Sequence, residues 1–199
     1  TDGHPNREPH NSLYYACYKN GAFFRAEGSK ISDYESLPFT RRQASVVYDA
    51  TLTSQRAWVW DIAEDELGYP VIVYTRLPEM TDHRYHYVRW DGQKWLDVEL
   101  CPAGQWFPQT RPETEQTEKQ YSGGIVLDHQ NPSIVYLSRP INGVFEIEKW
   151  ATSDRGQTWQ SRAITQNSSR DNVRPFVIRH SREGEGPHIV WMQNHYYFH

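Results

Sequence analysis

One strand pattern recurs three times along this chain. In each copy, a turn that contains proline leads into a short apolar run that ends in an aromatic residue: Gly68–Tyr74, Asn131–Tyr136 and Gly186–Trp191. The prolines recur at a spacing of about 60 residues, and another strand-like piece precedes each copy. No segment shows a convincing helical period. A repeat of this length that is built only from strands predicts the blades of a propeller or stacked units.

Strand–turn–strand segments lie between these copies. Asp91 and Gly92 stand between two strand-like runs, which is a strong hairpin signal. The segment Thr152–Trp159 has the character of a polar turn, because Asp154 can accept hydrogen bonds from nearby backbone amides and Gly156 permits a positive φ. Both turns therefore predict antiparallel hairpins.

These observations predict an all-β fold. We expect a β-propeller of four-stranded antiparallel blades, with about three blades in this chain. Residues 1–199 would form a single domain, with an outer hairpin at 13–26, blades at 57–100 and 121–164, and an inner hairpin at 173–192. Propellers usually close with four or more blades, and an open ring exposes strand edges. We therefore expect a partial propeller that a missing half or a second copy completes.

The composition favours sheets and argues against two kinds of partner. Tyr, Trp and Phe number 13, 8 and 7 whereas Met occurs twice, a mixture typical of strands. The net charge is −4 with both signs interspersed, so we expect no nucleic-acid partner. No apolar run approaches the ~18 residues of a membrane span, so we expect no membrane partner. Cys17 and Cys101 lack metal-site spacing and are predicted to be free thiols, with a disulfide as the alternative.

The loops are rich in groups that suit carbohydrate. Aromatic faces can stack on sugar CH groups, and arginine can pair with a uronate carboxylate. The long loop Cys101–Gln120 carries Trp106 and Gln109, and a loop of this length is usually functional or disordered. The residue pattern requires no cofactor, and it leaves a structural calcium or zinc ion open.

Alternation along the strand that follows Asp82 separates its polar side chains. His83 and Arg89 would share one face with Tyr85 and Tyr87, while His86 would lie on the other. The two histidines would therefore point apart, which disfavours a metal pair. For Arg89, an ion pair between blades stands as the alternative to a substrate role.

Several short stretches carry a resemblance to a known family. They are His10–Tyr15, Pro70–Arg76, Asp82–Trp90, Trp106–Thr110, Tyr121–Ile125, Val135–Arg139 and Asn172–Pro175. These stretches resemble the BNR-4 repeat proteins, which include seven-bladed propeller polysaccharide lyases that act on ulvan and on rhamnose–glucuronate linkages. Thr152–Trp159 matches the Asp-box of β-propeller proteins, S/T-x-D-x-G-x-T-W. The resemblance covers nearly the whole chain and corresponds to the later half of such an enzyme.

The resemblance implies β-elimination on a uronate-containing acidic polysaccharide. His10 would be a catalytic or carboxylate-neutralising histidine, Tyr74 the acid/base tyrosine, Arg89 the carboxylate clamp and Tyr121 a substrate-contacting tyrosine. A second catalytic histidine, implied in an earlier blade, is not identified here. The further side chains expected to bind substrate are Asn11, His83, His86, Trp106, Gln109, Arg139 and Arg174.

Two other functions remain open at this point. A non-catalytic carbohydrate-binding or interaction propeller would keep the aromatic loops without the acid–base pair. An Asp-box glycoside hydrolase such as a sialidase would need an arginine triad, which Arg89, Arg139 and Arg174 do not assemble by sequence. The expected partner is an acidic polysaccharide or oligosaccharide. We expect a secreted or periplasmic location, although these residues show no signal peptide.

Overall fold

Strands make up about half of the described backbone. The computed structural model describes residues 1–5, 7–79, 81–105 and 122–194, and the backbone of 116–117 and 197–198. In chain order the strands are β1 (Leu13–Tyr15), β2 (Cys17–Lys19), β3 (Ala22–Phe24), β4 (Lys30–Asp33), β5 (Ser45–Tyr48), β6 (Arg56–Glu64), β7 (Pro70–Glu79), β8 (Asp82–Trp90), β9 (Trp95–Gly104), β10 (Gln116–Thr117), β11 (Ile125–Leu127), β12 (Ile134–Ile141), β13 (Val144–Ala151), β14 (Gln160–Ala163), β15 (Asn172–Val177), β16 (Ile189–Gln193) and β17 (Tyr197–Phe198). The helical elements of the described residues are α1 (Ala50–Thr53) and 3-10 turns at Tyr34–Ser36 and Arg41–Gln43.

Two four-stranded antiparallel sheets form the centre of the structure. Blade 1 consists of β6–β9 and blade 2 of β11–β14, and in each blade consecutive strands are neighbours. The strands β15 and β16 pair as a C-terminal hairpin, and β10 pairs with β17. This arrangement confirms the prediction of an all-β fold made of partial propeller blades.

The N-terminal strands, β1–β5, are arranged differently from the predicted outer hairpin at 13–26. A hairpin does join β2 to β3, and β4 extends it to three strands. However, β1 leaves this sheet and pairs with β5 instead. Ala16 separates β1 from β2, so one nearly continuous segment contributes to two sheets.

Aspartate side chains build the tight turns between strands. Asp65 accepts hydrogen bonds from the backbone amides of Leu67 and Tyr69, both at 2.9 Å, and so closes the turn between β6 and β7. Asp91 accepts in the same way at the turn between β8 and β9. In the Asp-box, Asp154 accepts at 2.8 Å from the amide of Thr158. The hydrogen bonding of these turns is therefore local and can be predicted from sequence.

The sheets stack face to face in chain order. One face of blade 1 packs on blade 2 through a core that includes Val73, Tyr85 and Leu137. The other face packs on β1 and β5, around Tyr48 and Tyr74. A third core joins blade 2 to the C-terminal hairpin. The strand β11 contacts both β6 and β15, so the first strands of successive units lie side by side.

The Asp-box turn joins blade 2 to blade 1. Trp159 packs edge-on against Tyr87, with ring centroids 4.9 Å apart, and its indole N–H donates to the carbonyl of Gly156 at 3.0 Å. Gly156 has a φ of 94°, and a Cβ there would lie 3.0 Å from the Tyr87 ring. The motif thus serves as an inter-blade contact in this fold.

Candidate functional site

Four polar side chains of blade 1 form one hydrogen-bonded group, which we call the Asp97 cluster: Tyr74, Arg76, His86 and Asp97. Tyr74 and Arg76 lie two residues apart on β7 and so face the same side of the sheet. His86 is the ladder partner of Tyr74 on β8, and Asp97 follows on β9. The cluster lies on the face that packs against β5, where Tyr48 contacts Tyr74.

A single carboxylate connects the other three members. The Tyr74 hydroxyl donates to Asp97 Oδ2 at 2.6 Å, and Arg76 Nε donates to the Tyr74 oxygen at 2.9 Å. Arg76 also forms an ion pair with Asp97. His86 Nδ1 lies 3.0 Å from Asp97 Oδ1, and its other nitrogen lies 3.8 Å from Glu99 Oε2. Asp97 therefore orients a phenol, a guanidinium and an imidazole together.

The electrostatics keep Tyr74 protonated and Asp97 ionised. Burial raises the pKa of Tyr74 above its ordinary value of 10.0, and the Asp97 charge raises it further. Burial also acts to raise the pKa of Asp97, but hydrogen bonds from His86 and Tyr74 outweigh it, so this pKa is lowered. The Arg76 charge contributes to the same lowering. At neutral pH the cluster thus holds a proton donor beside a carboxylate.

Solvent reaches the cluster on its Arg76 and Asp97 side. Tyr74 is completely buried, whereas the side chains of Arg76 and Asp97 are 19% and 20% exposed. The guanidinium of Arg76 also lies over the Tyr48 ring, 4.2 Å from its centroid. A ligand would therefore meet the ion pair first and Tyr74 behind it.

A second group of polar side chains joins blade 1, blade 2 and the C-terminal hairpin around Ser122. His83 Nδ1 lies 3.4 Å from Ser122 Oγ, and Arg174 donates to the Ser122 carbonyl at 3.0 Å. The Arg174 guanidinium lies 5.2 Å from the centroid of the Trp60 ring. Gly123 is required beside them because a Cβ there would lie 2.1 Å from Ser138 Oγ. Two predicted substrate-binding residues, His83 and Arg174, thus meet at this point.

The structure does not bring Arg89 to Tyr74. Arg89 pairs in the ladder with Val71, and it lies on the face opposite to Tyr74. There it forms a buried ion pair with Asp65. The alternative expected for Arg89 was an ion pair between blades; an ion pair does form, but Asp65 belongs to the same blade as Arg89.

The remaining predicted residues lie elsewhere. His10 is exposed just before β1. Hydrogen bonds that Thr51 donates lower the pKa of the nearby Asp49. Asn11 is buried and donates to the Ala57 carbonyl at 2.7 Å. Arg139 forms a two-pronged pair with Glu148. Three predicted residues lie outside the described ones: Trp106, Gln109 and Tyr121.

Sequence reasoning missed two members of the Asp97 cluster. The position of Arg76 could have been predicted, because a residue two positions after Tyr74 lies on the same face of a strand. The position of Asp97 could not have been predicted, since its approach to Tyr74 depends on how β8 and β9 pair. A hairpin predicted at Asp91 and Gly92 does not by itself set that register.

Within the described ranges, no group of three or more His, Cys, Asp or Glu side chains is placed to hold a metal ion. The two cysteines, Cys17 and Cys101, are free thiols. Among the described helices, none has the length and apolar character needed to cross a membrane.

A comparison with protein families identifies a BNR repeat family match. The BNR repeat-containing family matches residues 1–101, which include the N-terminal strands, most of blade 1 and all four residues of the Asp97 cluster. Comparisons with curated proteins and with solved structures gave no match. Because the match covers half of the chain and the structure is all-β with propeller-like blades, this protein belongs to the BNR repeat family.

Proposed function

We propose that this protein cleaves a uronate-containing acidic polysaccharide by β-elimination at the Asp97 cluster. In this reaction a base removes the C5 proton of the uronate. The electrons of the C5–H bond form a C4–C5 double bond, and the C4–O4 bond breaks as an acid protonates O4. The observation that carries the proposal is that Tyr74, His86 and Arg76 are all held by one carboxylate.

The geometry supports distinct roles for these side chains. His86 would be the base, because ionised Asp97 accepts from its Nδ1–H and leaves Nε2 to take the C5 proton. Tyr74, which is protonated at neutral pH, would donate to O4. Arg76 would stabilise the resulting phenolate through the hydrogen bond it already makes to the Tyr74 oxygen.

Arg76 is also the cation that could neutralise the uronate carboxylate, the role that the resemblance implied for Arg89. The incoming carboxylate would replace Asp97 as the ion-pair partner of Arg76 and so open a path to Tyr74. Asp97 would keep its contact with His86 through the other carboxylate oxygen. His10 stays a proposed catalytic or carboxylate-neutralising histidine, and Tyr121 stays a proposed substrate contact.

One observation favours a second candidate, a non-catalytic carbohydrate-binding propeller. Tyr74 is fully buried, and its hydroxyl already has both a donor and an acceptor partner. Such a satisfied network is also typical of a purely structural group. The cluster would then stabilise the contact between blade 1 and β5 while other loops bind the saccharide.

One assay separates these candidates. The protein is incubated with ulvan or a rhamnose–glucuronate polymer, and the ultraviolet absorbance of the unsaturated uronate is followed. A rising absorbance supports the lyase, and binding without absorbance supports the binding propeller. New reducing ends without absorbance would support a glycoside hydrolase instead.

We also propose that the open ends of the stack are covered in the working protein, by a second copy or by further blades. The C-terminal hairpin exposes the apolar side chains Phe176, Val190 and Met192. Exposed apolar sheet faces of this kind mark contact surfaces. A secreted or periplasmic location, where acidic polysaccharides are encountered, fits the proposed activity.

A further inference from the structure

Two clefts open at the same end of the blades, where the turn between β6 and β7 lies. The first cleft has a volume of about 720 Å³ and lies between the N-terminal strands and blade 1. The second, of about 460 Å³, lies between blade 1 and blade 2. The exposed side chain of Leu67 lines both, so the clefts meet at one ridge. We propose that they form one groove that binds an anionic saccharide chain, separately from the Asp97 cluster.

The first cleft combines aromatic surface with positive charge. Tyr18, which is 57% exposed, and Phe24 line it together with two cations, Lys19 and Arg25, and one carboxylate, that of Glu64. Arg25 is held in place because its Nε donates to the Gln43 carbonyl at 2.6 Å. Lys19 is exposed at the end of β2, and among the described residues it has no carboxylate partner. Flat apolar rings next to cations suit a sugar that carries a carboxylate.

The second cleft contains a buried arginine with unused hydrogen-bonding capacity. Arg89 lines the cleft and is 7% exposed, and its Nε has no hydrogen-bond partner among the described residues. Its ion-pair partner Asp65 also accepts hydrogen bonds from two backbone amides of the β6–β7 turn. A buried N–H without an acceptor is costly, so an oxygen of a ligand would be favoured here.

The Asp-box supplies the opposite wall of the second cleft. Thr152, Ser153 and Arg155 all line it. Arg155 is exposed, with a φ of 62°, and has no ion-pair partner among the residues that the structure describes. Glu66 also lines the cleft, and its carboxylate can accept hydrogen bonds from sugar hydroxyls.

The size and position of the groove indicate a chain of several sugars. Each cleft falls in the range of about 300–1,000 Å³ that is typical of small-ligand sites. Two such sites joined at Leu67 would therefore bind one extended molecule more tightly than either binds a single sugar. The choice of a uronate chain rests on the proposed function, whereas the groove itself rests on its own residues.

Binding of glucuronate-containing oligosaccharides prepared from ulvan tests this inference. Titration calorimetry would compare the full chain with Lys19→Ala and Arg155→Ala, one variant for each cleft. Each should weaken binding roughly tenfold, since each removes a charged hydrogen bond. Arg42→Ala, an exposed arginine outside both clefts, is the matched control and should bind as the parent does. Unchanged affinity in both groove variants, or no binding at all, would overturn the inference.

A second measurement does not depend on the variants. In the presence of the same oligosaccharides, backbone amide hydrogen exchange should slow in the segments 19–28 and 65–68. A neutral oligosaccharide of equal length should protect these segments less. Equal protection by the neutral chain would refute the anionic ligand. The elimination assay is read separately on the parent chain. Groove binding without elimination refutes only the proposed lyase, and elimination with unaltered binding in the groove variants refutes only the groove.

Discussion

Tyr74 and Asp97 lie on β7 and β9 and are joined across β8 by a hydrogen bond of 2.6 Å. The same carboxylate holds Arg76 and His86. The protonation state of a phenol, the tautomer of an imidazole and the position of a guanidinium therefore all depend on Asp97. This dependence makes the cluster open to test by single substitutions.

Replacing Tyr74 by Phe should abolish elimination and leave saccharide binding nearly unchanged. The loss of a general acid should lower the rate by roughly 10²–10⁴-fold, while the free energy of unfolding falls by about 1–3 kcal/mol, because the lost hydroxyl bonds to charged groups. The rate is followed by the absorbance of the unsaturated uronate. Tyr14→Phe is the matched control, because the Tyr14 hydroxyl also donates to a carboxylate, that of Asp2. A fully active Tyr74→Phe variant would remove Tyr74 from the mechanism.

The stability that Asp97 provides should depend on pH. Its pKa is lower in the folded protein than the ordinary value of 3.8. Such a carboxyl stabilises the fold above its unfolded pKa, and this contribution is lost as the pH falls through the folded pKa. Asp97→Asn should thus lower the free energy of unfolding most at neutral pH.

The difference in free energy of unfolding between the parent and Asp97→Asn should shrink as the pH falls below about 4. Urea unfolding at a series of pH values measures it. Asp33→Asn, which removes an exposed pair with Lys30, should produce almost no difference at any pH. A difference in free energy of unfolding for Asp97→Asn that stays constant down to acid pH would contradict the ion-pair account.

Gly156→Ala should destabilise the contact between the blades. The residue has a φ of 94°, and the new Cβ would meet the Tyr87 ring at 3.0 Å. We expect a loss of about 1–3 kcal/mol, from backbone strain together with the displaced ring. Gly143→Ala separates the two effects, because Gly143 has a φ of 85° and nothing lies near its Cβ position. Equal losses in both variants, measured by urea unfolding, would assign the whole effect to the backbone.

Tyr85→Phe should lower the free energy of unfolding by more than its small change in volume suggests. The Tyr85 hydroxyl is buried, donates to the Ser138 carbonyl at 2.8 Å and accepts from the Gly124 amide at 2.7 Å. Removal leaves both backbone groups without this partner, so the free energy of unfolding should fall by about 1–3 kcal/mol. Thermal unfolding of the variant beside Tyr14→Phe, whose hydroxyl is only partly buried, would check this. A loss no larger than that of the control would contradict the prediction.

Self-association should follow from the exposed face of the C-terminal hairpin. If a second copy covers Phe176, Val190 and Met192, sedimentation should give a mass above the 23.5 kDa of one chain. Val190→Lys should shift the equilibrium towards single chains, whereas Lys30→Ala, at an exposed pair of the N-terminal strands, should not. A single-chain mass at every concentration would exclude the two-copy version.

The faces of β8 were predictable from sequence. Alternation placed His86 apart from Tyr85, Tyr87 and Arg89, and the structure confirms this, since Tyr85 and Tyr87 pack towards blade 2 and His86 joins Tyr74. The partner of Arg89 was not predictable. Asp65 reaches it from the turn between β6 and β7, and only the pairing of β7 with β8 brings the two together.

By itself, the sequence determined the strands of the two blades, the turns at Asp91 and Asp154 and the all-β class, because alternation and turn chemistry act over a few neighbouring residues. Tertiary structure alone decided that β1 pairs with β5, that Asp97 reaches Tyr74 and that two clefts meet at Leu67. These contacts join segments that are distant in sequence, and their register follows from how whole sheets bury their apolar faces. Local patterns carry no information about that choice.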